Sequence, residues 1–262
     1  MREGGIGRGG LLENKIALVY GAGGAVGGAV SRAFAREGAT VFLSGRALGP
    51  VETVAHEIVA GGGAAQSSRV DALDEDAVER HVAAVVGQTG RVDVVLNAIG
   101  VSAVQGVALT DIRCQDFTAP IATWTRAQFL TARVAARHMA AARSGVILML
   151  SASPARLAVA LTGGFGVACA AIEGLSRTLA AELGPQGIRV VCLRPHRIGD
   201  TLGGADFAMA PDEFRRLVEK MTLLGRLPTL GEVASTAAFL ASDAAGAMTG
   251  AVANLTCGMA VD

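Results

Sequence analysis

A glycine-rich turn, Gly21-Ala-Gly-Gly-Ala-Val-Gly27, connects an apolar segment to an alanine-rich one. Missing Cβ atoms permit a tight turn and let a pyrophosphate approach the backbone closely. The start of a following helix adds N–H groups that favour an anion. The turn is therefore a candidate site for a phosphorylated ligand. The alternative is a tight strand-to-helix turn that binds nothing.

Short apolar segments of β type alternate with alanine-rich segments of helical period along the chain. This alternation predicts parallel strands joined by crossover helices, and the near-continuous apolar strands predict a sheet covered on both faces. We therefore predict an α/β, Rossmann-like, doubly wound parallel sheet of about seven strands with helices on both faces. The predicted strands are 16–20, 40–44, 66–70, 92–96, 146–151, 188–193 and 252–255, and the predicted helices are 25–37, 50–60, 75–89, 121–143, 163–183, 211–221 and 232–242.

The composition bounds the domain count and the class of partner. No Pro-, Ser- or charge-rich stretch divides residues 12–262, which are predicted to form one domain with a lid-like excursion at 195–228, preceded by a flexible tail at 1–11. Lys plus Arg and Asp plus Glu both number 23, so no net charge favours nucleic acid or an anionic membrane. The cysteine spacing predicts no metal site. Without a signal-peptide pattern or a long apolar run, we expect a cytoplasmic protein with reduced thiols.

Several stretches resemble the short-chain dehydrogenase/reductase family. The glycine-rich turn is similar to the family's Thr-Gly-x-x-x-Gly-x-Gly motif: Gly21 and Gly27 match, Tyr20 replaces Thr and Ala25 replaces the middle Gly. The resemblance extends over residues 12–258. It implies an NAD(P)-binding oxidoreductase that acts on a small molecule.

The resemblance also implies a cofactor site. Asp71 stands where the family has an adenine-contacting Asp, and Asn97 and Gly100 match its Asn-Asn-Ala-Gly strand end. Gly45 stands where an acidic residue would hold a ribose hydroxyl, and Arg46 follows it; a guanidinium can bind a 2′-phosphate, so NADP(H) is expected in preference to NAD(H). Alternatively, Arg46 is a solvated loop residue. The predicted cofactor-binding residues are Gly21, Gly23, Gly24, Val26, Gly27, Arg46, Asp71, Ala72, Asn97 and Gly100.

The family's chemistry uses a Tyr proton donor, a Lys four residues later, a Ser that orients the substrate carbonyl and an Asn in a proton relay. By register, these four positions hold Phe165, Cys169, Ala152 and Trp124. None of these side chains supplies the corresponding group, and the only tyrosine of the chain is Tyr20. General acid catalysis contributes about 10²–10⁴-fold, so we expect the usual Tyr–Lys carbonyl reduction to be unavailable.

Other polar residues near these positions are weak catalytic candidates. Ser151 and Ser153 flank the family's Ser position, and His196 follows the sixth strand, where it could meet a ligand's anionic group or belong to a plain loop. Cys169 is either a nucleophile or a small packing residue. Glu173, four residues further along the same helix, is expected at the surface or at a subunit interface.

Two classes of function follow. The first is a diverged or non-redox enzyme that binds NADP(H) and acts on a small apolar molecule. The second is an inactive ligand-binding or scaffolding homologue that partners other proteins. By the family resemblance, a homodimer or homotetramer would form through the helices at 121–143 and 163–183.

Overall fold

The computed structural model describes residues 9–201 and 210–262. Its seven strands form one parallel sheet in the order β3-β2-β1-β4-β5-β6-β7. The predicted fold class is confirmed, with the order reversing beside β1. The strands are β1 Ile16–Tyr20, β2 Thr40–Gly45, β3 Ala64–Arg69, β4 Val94–Asn97, β5 Gly145–Leu150, β6 Ile188–Pro195 and β7 Val252–Leu255.

Helices cover both faces of the sheet. One apolar core lies between the sheet and helices α1, α2 and α7, and a second lies between the sheet and helices α3, α4 and α5. In the described part of the chain the helices are α1 Ala25–Arg36, α2 Leu48–Ala60, α3 Glu75–Thr89, α4 Cys114–Ala142, α5 Gly164–Leu183, α6 Pro211–Lys220 and α7 Leu230–Ala241. None of the described helices is both long and apolar enough to span a bilayer.

Helix α4 begins seven residues before its predicted start at residue 121, because it continues through Pro120. A proline inside a helix removes one hydrogen bond, which makes a helix start there the simpler prediction from sequence. The first turns of α4 are held in place by contact with helix α5. A Cβ on Gly164 of α5 would lie only 1.9 Å from the carbonyl oxygen of Phe117, so the two backbones are in close contact.

Two predicted segments fall partly outside the described residues. Residues 1–8 of the predicted tail lie outside the described residues. Leu12, the first residue after the predicted tail, is fully buried in the core. Of the predicted lid-like excursion, residues 202–209 are not described. The remainder contains a 3₁₀ turn at Gly199–Thr201 and helix α6, and Arg215 Nη2 of α6 donates to the carbonyl oxygen of Gly199 at 2.7 Å. A closing motion of this segment stays a prediction.

Candidate active site

A cleft of about 920 Å³ opens at the carboxyl ends of β1, β2, β3 and β4 and continues along one face of α4. In an open parallel sheet, ligands bind in the crevice where the strand order reverses, which here is beside β1. The walls of the cleft include seven of the predicted cofactor-binding residues: Gly21, Gly23, Gly24, Arg46, Asp71, Ala72 and Gly100. Val26, Gly27 and Asn97 do not line it.

The glycine-rich turn is closely packed against its neighbours. A Cβ on Gly27 would lie 2.2 Å from the carbonyl oxygen of Gly21, and a Cβ on Gly21 would lie 2.6 Å from that of Ala98. Gly21 also has a positive φ of 79°, which side chains disfavour. Although Gly27 is not part of the cleft wall, it lets α1 start directly behind the turn.

The turn fits a pyrophosphate by its donor chemistry. Helix α1 has Gly24 as its N-cap, with no side chain capping the helix and no acidic residue in the first turn. The first N–H groups of a helix lack intrahelical partners, and the helix dipole favours an anion beside them. The N–H groups around Ala25 and Val26 could therefore hold phosphate oxygens of a nucleotide cofactor.

The ends of β2 and β3 form the far wall of the cleft. Arg46 is exposed and makes no ion pair among the described residues. The Asp71 carboxylate accepts a hydrogen bond from the N–H of Leu73 at 3.0 Å, and the N–H of Val70 donates to the carbonyl oxygen of Gly45 at 3.1 Å. These bonds hold the strand ends in place and leave Asp71 and Arg46 open to a ligand.

Asn97 lies behind the wall of the cleft. Its Nδ2 donates to Thr131 Oγ1 at 2.9 Å and to the carbonyl oxygen of Ala127 at 3.2 Å, and its Oδ1 accepts from the N–H of Ile99 at 3.1 Å. Its side chain is therefore occupied within the protein. Asn97 shapes the turn that carries Ala98 and Gly100 rather than offering a free polar group.

Tyr20, the only tyrosine of the chain, lies on the face of the sheet covered by α3. Its hydroxyl lies 3.3 Å from Nδ1 of His81, and the two rings meet edge to face at 5.6 Å. Burial raises the pKa of Tyr20 and lowers the pKa of His81 to about 4. Both groups are therefore neutral at pH 7, and the Tyr20 hydroxyl is engaged by α3.

Trp124 and Phe165, which the sequence predicts at two of the family's catalytic positions, stack on each other. Their ring centroids are 5.6 Å apart with an interplanar angle of 12°. Trp124 is 4% exposed and forms part of the cleft wall, and its indole Nε1 has no partner among the described residues. Two aromatic rings thus stand where the resemblance expects an amide and a phenol.

Ala152 and Cys169, which the sequence predicts at the other two catalytic positions, belong to the apolar core beneath α4 and α5. Cys169 is fully buried, and Ala152 packs against the same apolar cluster. Burial raises the pKa of the Cys169 thiol to about 12, so the thiol stays protonated at pH 7. This favours packing over nucleophilic chemistry for Cys169.

Ser151 and Glu173 belong to a buried polar network. The Ser151 hydroxyl donates to Glu173 Oε1 at 2.9 Å, and Arg194 Nε donates to the same oxygen at 2.7 Å. Arg194 Nη1 also donates to Asp262 Oδ1 at 2.5 Å. The expected surface or interface position of Glu173 is wrong: it is 4% exposed, because Arg194 on the adjacent strand compensates its charge.

The structure brings Ser153 and His196 together. Ser153 Oγ lies 2.7 Å from His196 Nδ1, and His196 Nε2 is enclosed without a partner among the described residues. Burial and the neighbouring Arg197 lower the pKa of His196 to about 4, so its imidazole is neutral at pH 7. Sequence reasoning considered the two residues separately. Both residues follow predicted strands, and these two strands, β5 and β6, are neighbours in the sheet. The position of each residue just after a strand is the sequence feature that could have predicted their contact.

A family model, curated relatives and a solved structure each match most of this chain. A family model described as enoyl-(acyl carrier protein) reductase matches residues 21–260. D-threitol dehydrogenase of Mycolicibacterium smegmatis is 28% identical over 241 residues, covering 92% of this chain and 90% of the relative. L-rhamnose 1-dehydrogenase (NAD(P)(+)) of Azotobacter vinelandii is 32% identical over 246 residues, covering 92% and 94%. The solved structure of a short-chain type dehydrogenase/reductase from Mycobacterium ulcerans superposes with a TM-score of 0.88 at 28% identity, covering 95% and 90% of the two chains.

Proposed function

The chain belongs to the short-chain dehydrogenase/reductase family, and we propose that it binds NADP(H) in the cleft and acts on a small apolar molecule without the family's Tyr–Lys pair. The observation that carries the proposal is the stack of Trp124 on Phe165 beside a cleft that is lined by the glycine-rich turn. The site thus has groups that could bind a nucleotide, whereas the groups that usually transfer the proton are missing at their expected positions.

The residues of the cleft fit a nicotinamide dinucleotide. The backbone of Gly21 to Val26 would hold the pyrophosphate, and the carboxylate of Asp71 would meet the adenine. When bound, the nicotinamide ring gives or takes a hydride. The name of the Azotobacter relative includes NAD(P)(+), which supports this cofactor class.

The proposed preference for NADP(H) rests on Gly45 and Arg46. Both line the cleft, and at Gly45 no carboxylate is present that would repel a 2′-phosphate. The exposed guanidinium of Arg46 makes no ion pair in the described chain, so it is free to bind the phosphate.

The proton-transfer groups of the usual mechanism are absent at their expected positions. Phe165 has no hydroxyl, Ala152 has no hydrogen-bonding side chain, and Cys169 offers no positive charge. Since the missing general acid alone is worth about 10²–10⁴-fold, ordinary carbonyl reduction by this route would be negligible. Turnover, where it occurs, would use other groups.

The proposed apolar substrate follows from the walls beyond the glycine-rich turn. There the segment after β4 and helix α4 give the cleft a mainly apolar wall, with Ser102, Asp116 and Thr123 as its polar members; its apolar residues include Val101, Ala103, Val104, Ala119, Pro120 and Trp124. Such walls suit hydrocarbon better than a polyhydroxylated chain. The relatives named for threitol and rhamnose therefore guide the reaction class more than the substrate.

Calorimetric titration of the purified chain with NADPH, NADP⁺, NADH and NAD⁺ tests the proposal. We expect binding, with the phosphorylated forms at least about tenfold tighter, a difference of about 1.4 kcal/mol. No binding of any of the four at millimolar concentration would contradict it. Equal affinity for both pairs would remove the NADP(H) preference only.

The second candidate is a non-catalytic ligand-binding or scaffolding role, which the aromatic stack and the buried Cys169 favour. Restoring the side chains with Ala152→Ser, Phe165→Tyr and Cys169→Lys discriminates. Recovered carbonyl reduction would show that cofactor and substrate sites persist and would favour the enzyme. Because a lysine at the fully buried position 169 could prevent folding, Ala152→Ser with Phe165→Tyr serves as the matched variant.

Self-association through α4 and α5 is part of the proposal. Each helix leaves an apolar side chain exposed: Phe129 on α4 is 40% exposed and Val167 on α5 is 46% exposed. A homodimer or homotetramer would cover them. Light scattering at two concentrations measures the mass, and a monomer at micromolar concentration would exclude this assembly.

A further inference from the structure

The part of the cleft between the segment after β4 and helix α4, here called the apolar arm, reaches the protein surface at Val104. Val104 lines the cleft, and its side chain is 39% exposed, so it belongs both to the wall and to the outer edge of the cleft. The wall leading to it is formed by the residues from Val101 onward. An apolar ligand in this arm would therefore meet the surface at Val104.

A second segment, which connects β5 to α5, lies alongside Val104. The N–H of Gly106 donates to the carbonyl oxygen of Leu161 at 2.8 Å, and a Cβ on Gly163 would lie 2.6 Å from the carbonyl oxygen of Val104. Residue 106 thus meets residue 161, and residue 104 meets residue 163, so the two segments run side by side in opposite directions. Because Gly106 and Gly163 have no side chains, Val104 and Leu161 supply the apolar side chains at this junction.

Apolar side chains of both segments are exposed. Four of them are between 39% and 65% exposed and form what we call the apolar rim: Val104, Leu109, Val159 and Leu161. Single exposed apolar residues are common on protein surfaces, whereas several of them on adjoining segments beside a cleft indicate an interaction site. The apolar rim therefore continues the apolar character of the arm onto the surface.

Leu161 also has a backbone conformation that leucine disfavours. Its φ is 62°, in the left-handed region, where the Cβ crowds the following carbonyl oxygen. Glycine or asparagine is favoured at such a position. Nearly half of Leu161 is exposed, so packing in the core does not account for a leucine here. Strained conformations of this kind are concentrated at sites that bind ligands.

We propose that the ligand of the cleft carries a long aliphatic chain whose end lies on the apolar rim, with Leu161 as the residue that favours longer chains. This inference rests on the proposed function, because it names the substrate class of the same site. Sites of about 300–1,000 Å³ hold one drug-sized ligand. A cleft of about 920 Å³ that also holds a nicotinamide dinucleotide has room for only part of a long chain, so the remainder would lie on the rim.

The fluorescence of Trp124 measures occupation of the cleft without turnover, because Trp124 is the only tryptophan of the chain and lines the cleft. The probes are n-alkan-1-ols from butan-1-ol to decan-1-ol, titrated into the purified full chain with and without NADP⁺. Each methylene group that leaves water is worth up to about fourfold in affinity, so we expect Kd to fall about two- to fourfold per added carbon through decan-1-ol. A Kd that stops falling at hexan-1-ol would overturn the inference.

Leu161→Asn tests the apolar rim. Asparagine tolerates the left-handed conformation, so the urea midpoint is expected to stay the same or to rise. We expect Kd for decan-1-ol to rise at least about fivefold and Kd for butan-1-ol to stay within about twofold, because the shorter chain would end within the apolar arm. Leu223→Asn is the matched control and is expected to change neither constant. Leu223 is exposed and packs on Gly258 after β7, at the other edge of the sheet.

The outcomes separate this inference from the proposed function. If the wild type binds none of the four nucleotides in the calorimetric titration, the proposed function fails and the inference fails with it. If a nucleotide binds but Leu161→Asn weakens decan-1-ol and butan-1-ol equally, the inference is overturned while cofactor binding stands. A lower urea midpoint of Leu161→Asn would assign Leu161 to the fold, and a lower mass in light scattering would make the rim a subunit contact; either result overturns the inference as well.

Discussion

Arg194 Nε donates a hydrogen bond to Glu173 Oε1 at 2.7 Å, and the side chains of both residues are almost completely buried. The pair joins the middle of α5 to the end of β6, one residue before Pro195 and two before His196. Ser151 and Asp262 complete its hydrogen bonds. The network therefore fixes α5 against the end of β6.

Replacing Glu173 by leucine is expected to destabilise the protein by about 3 kcal/mol, because it leaves the buried Arg194 charge with Asp262 alone. Urea denaturation measures the loss. The double variant Glu173→Leu with Arg194→Met is expected to lose less than the single one, since no charge stays buried. Glu57→Leu, which breaks the exposed pair with Arg32, is the control and is expected to cost no more than about 1 kcal/mol. Equal losses for Glu173→Leu and the double variant would contradict this account.

The free energy of unfolding is expected to decrease as the pH is lowered from 6.5 to 4. His81 and His196 are held neutral in the folded chain, with pKa values lowered to about 4, while in the unfolded chain they titrate near 6.5. Above pH 6.5 both states bind the same number of protons; as the pH falls through the window, only the unfolded state gains protons and is favoured. His81 contributes at most about 3 kcal/mol, and the more accessible His196 less.

Urea midpoints at pH 7.5, 6.0 and 5.0 measure this dependence. His81→Gln is expected to flatten the profile, and His56→Gln, at an exposed position, to leave it unchanged. A profile with the same slope in His81→Gln as in the wild type would show that His81 does not titrate in this way.

Gly27→Ala is expected to damage the nucleotide site, because the added Cβ would lie 2.2 Å from the backbone oxygen of Gly21, which no side-chain rotation can relieve. We expect a loss of about 1–3 kcal/mol in stability and at least about tenfold weaker NADPH binding. Gly49→Ala in α2 is the control, since a Cβ there meets nothing within 4 Å. Unchanged affinity in Gly27→Ala would show that the turn does not hold the nucleotide.

Arg46→Ala is expected to weaken NADPH binding about tenfold, or about 1.4 kcal/mol, and to leave NADH binding unchanged, because only the former carries a 2′-phosphate. Titration calorimetry at low salt gives both constants, and added salt is expected to reduce the difference. Arg36→Ala, an equally exposed arginine at the end of α1, serves as the control. If NADPH and NADH lose affinity equally in Arg46→Ala, the phosphate assignment is wrong.

Local patterns in the chain determined the fold class, most element bounds and the glycine-rich turn. Strand β1 and helix α3 have their predicted limits, and the side chain of Asp74 caps α3 by accepting from the N–H of Ala77. Such features depend on residues within a few positions of each other, so apolar period and capping chemistry suffice to predict them. The start of α4 was missed because a proline normally ends a helix, whereas close packing against Gly164 holds it here.

Only the tertiary structure decided which polar groups meet. Glu173 is buried because Arg194 lies on a strand packed against its helix, and Ser153 reaches His196, 43 positions further along the chain, because β5 and β6 are paired. The stack of Trp124 on Phe165 likewise requires α4 and α5 to be adjacent. Charge compensation, ring stacking and a shared proton act over a few ångströms in space, and separation along the chain does not report that distance.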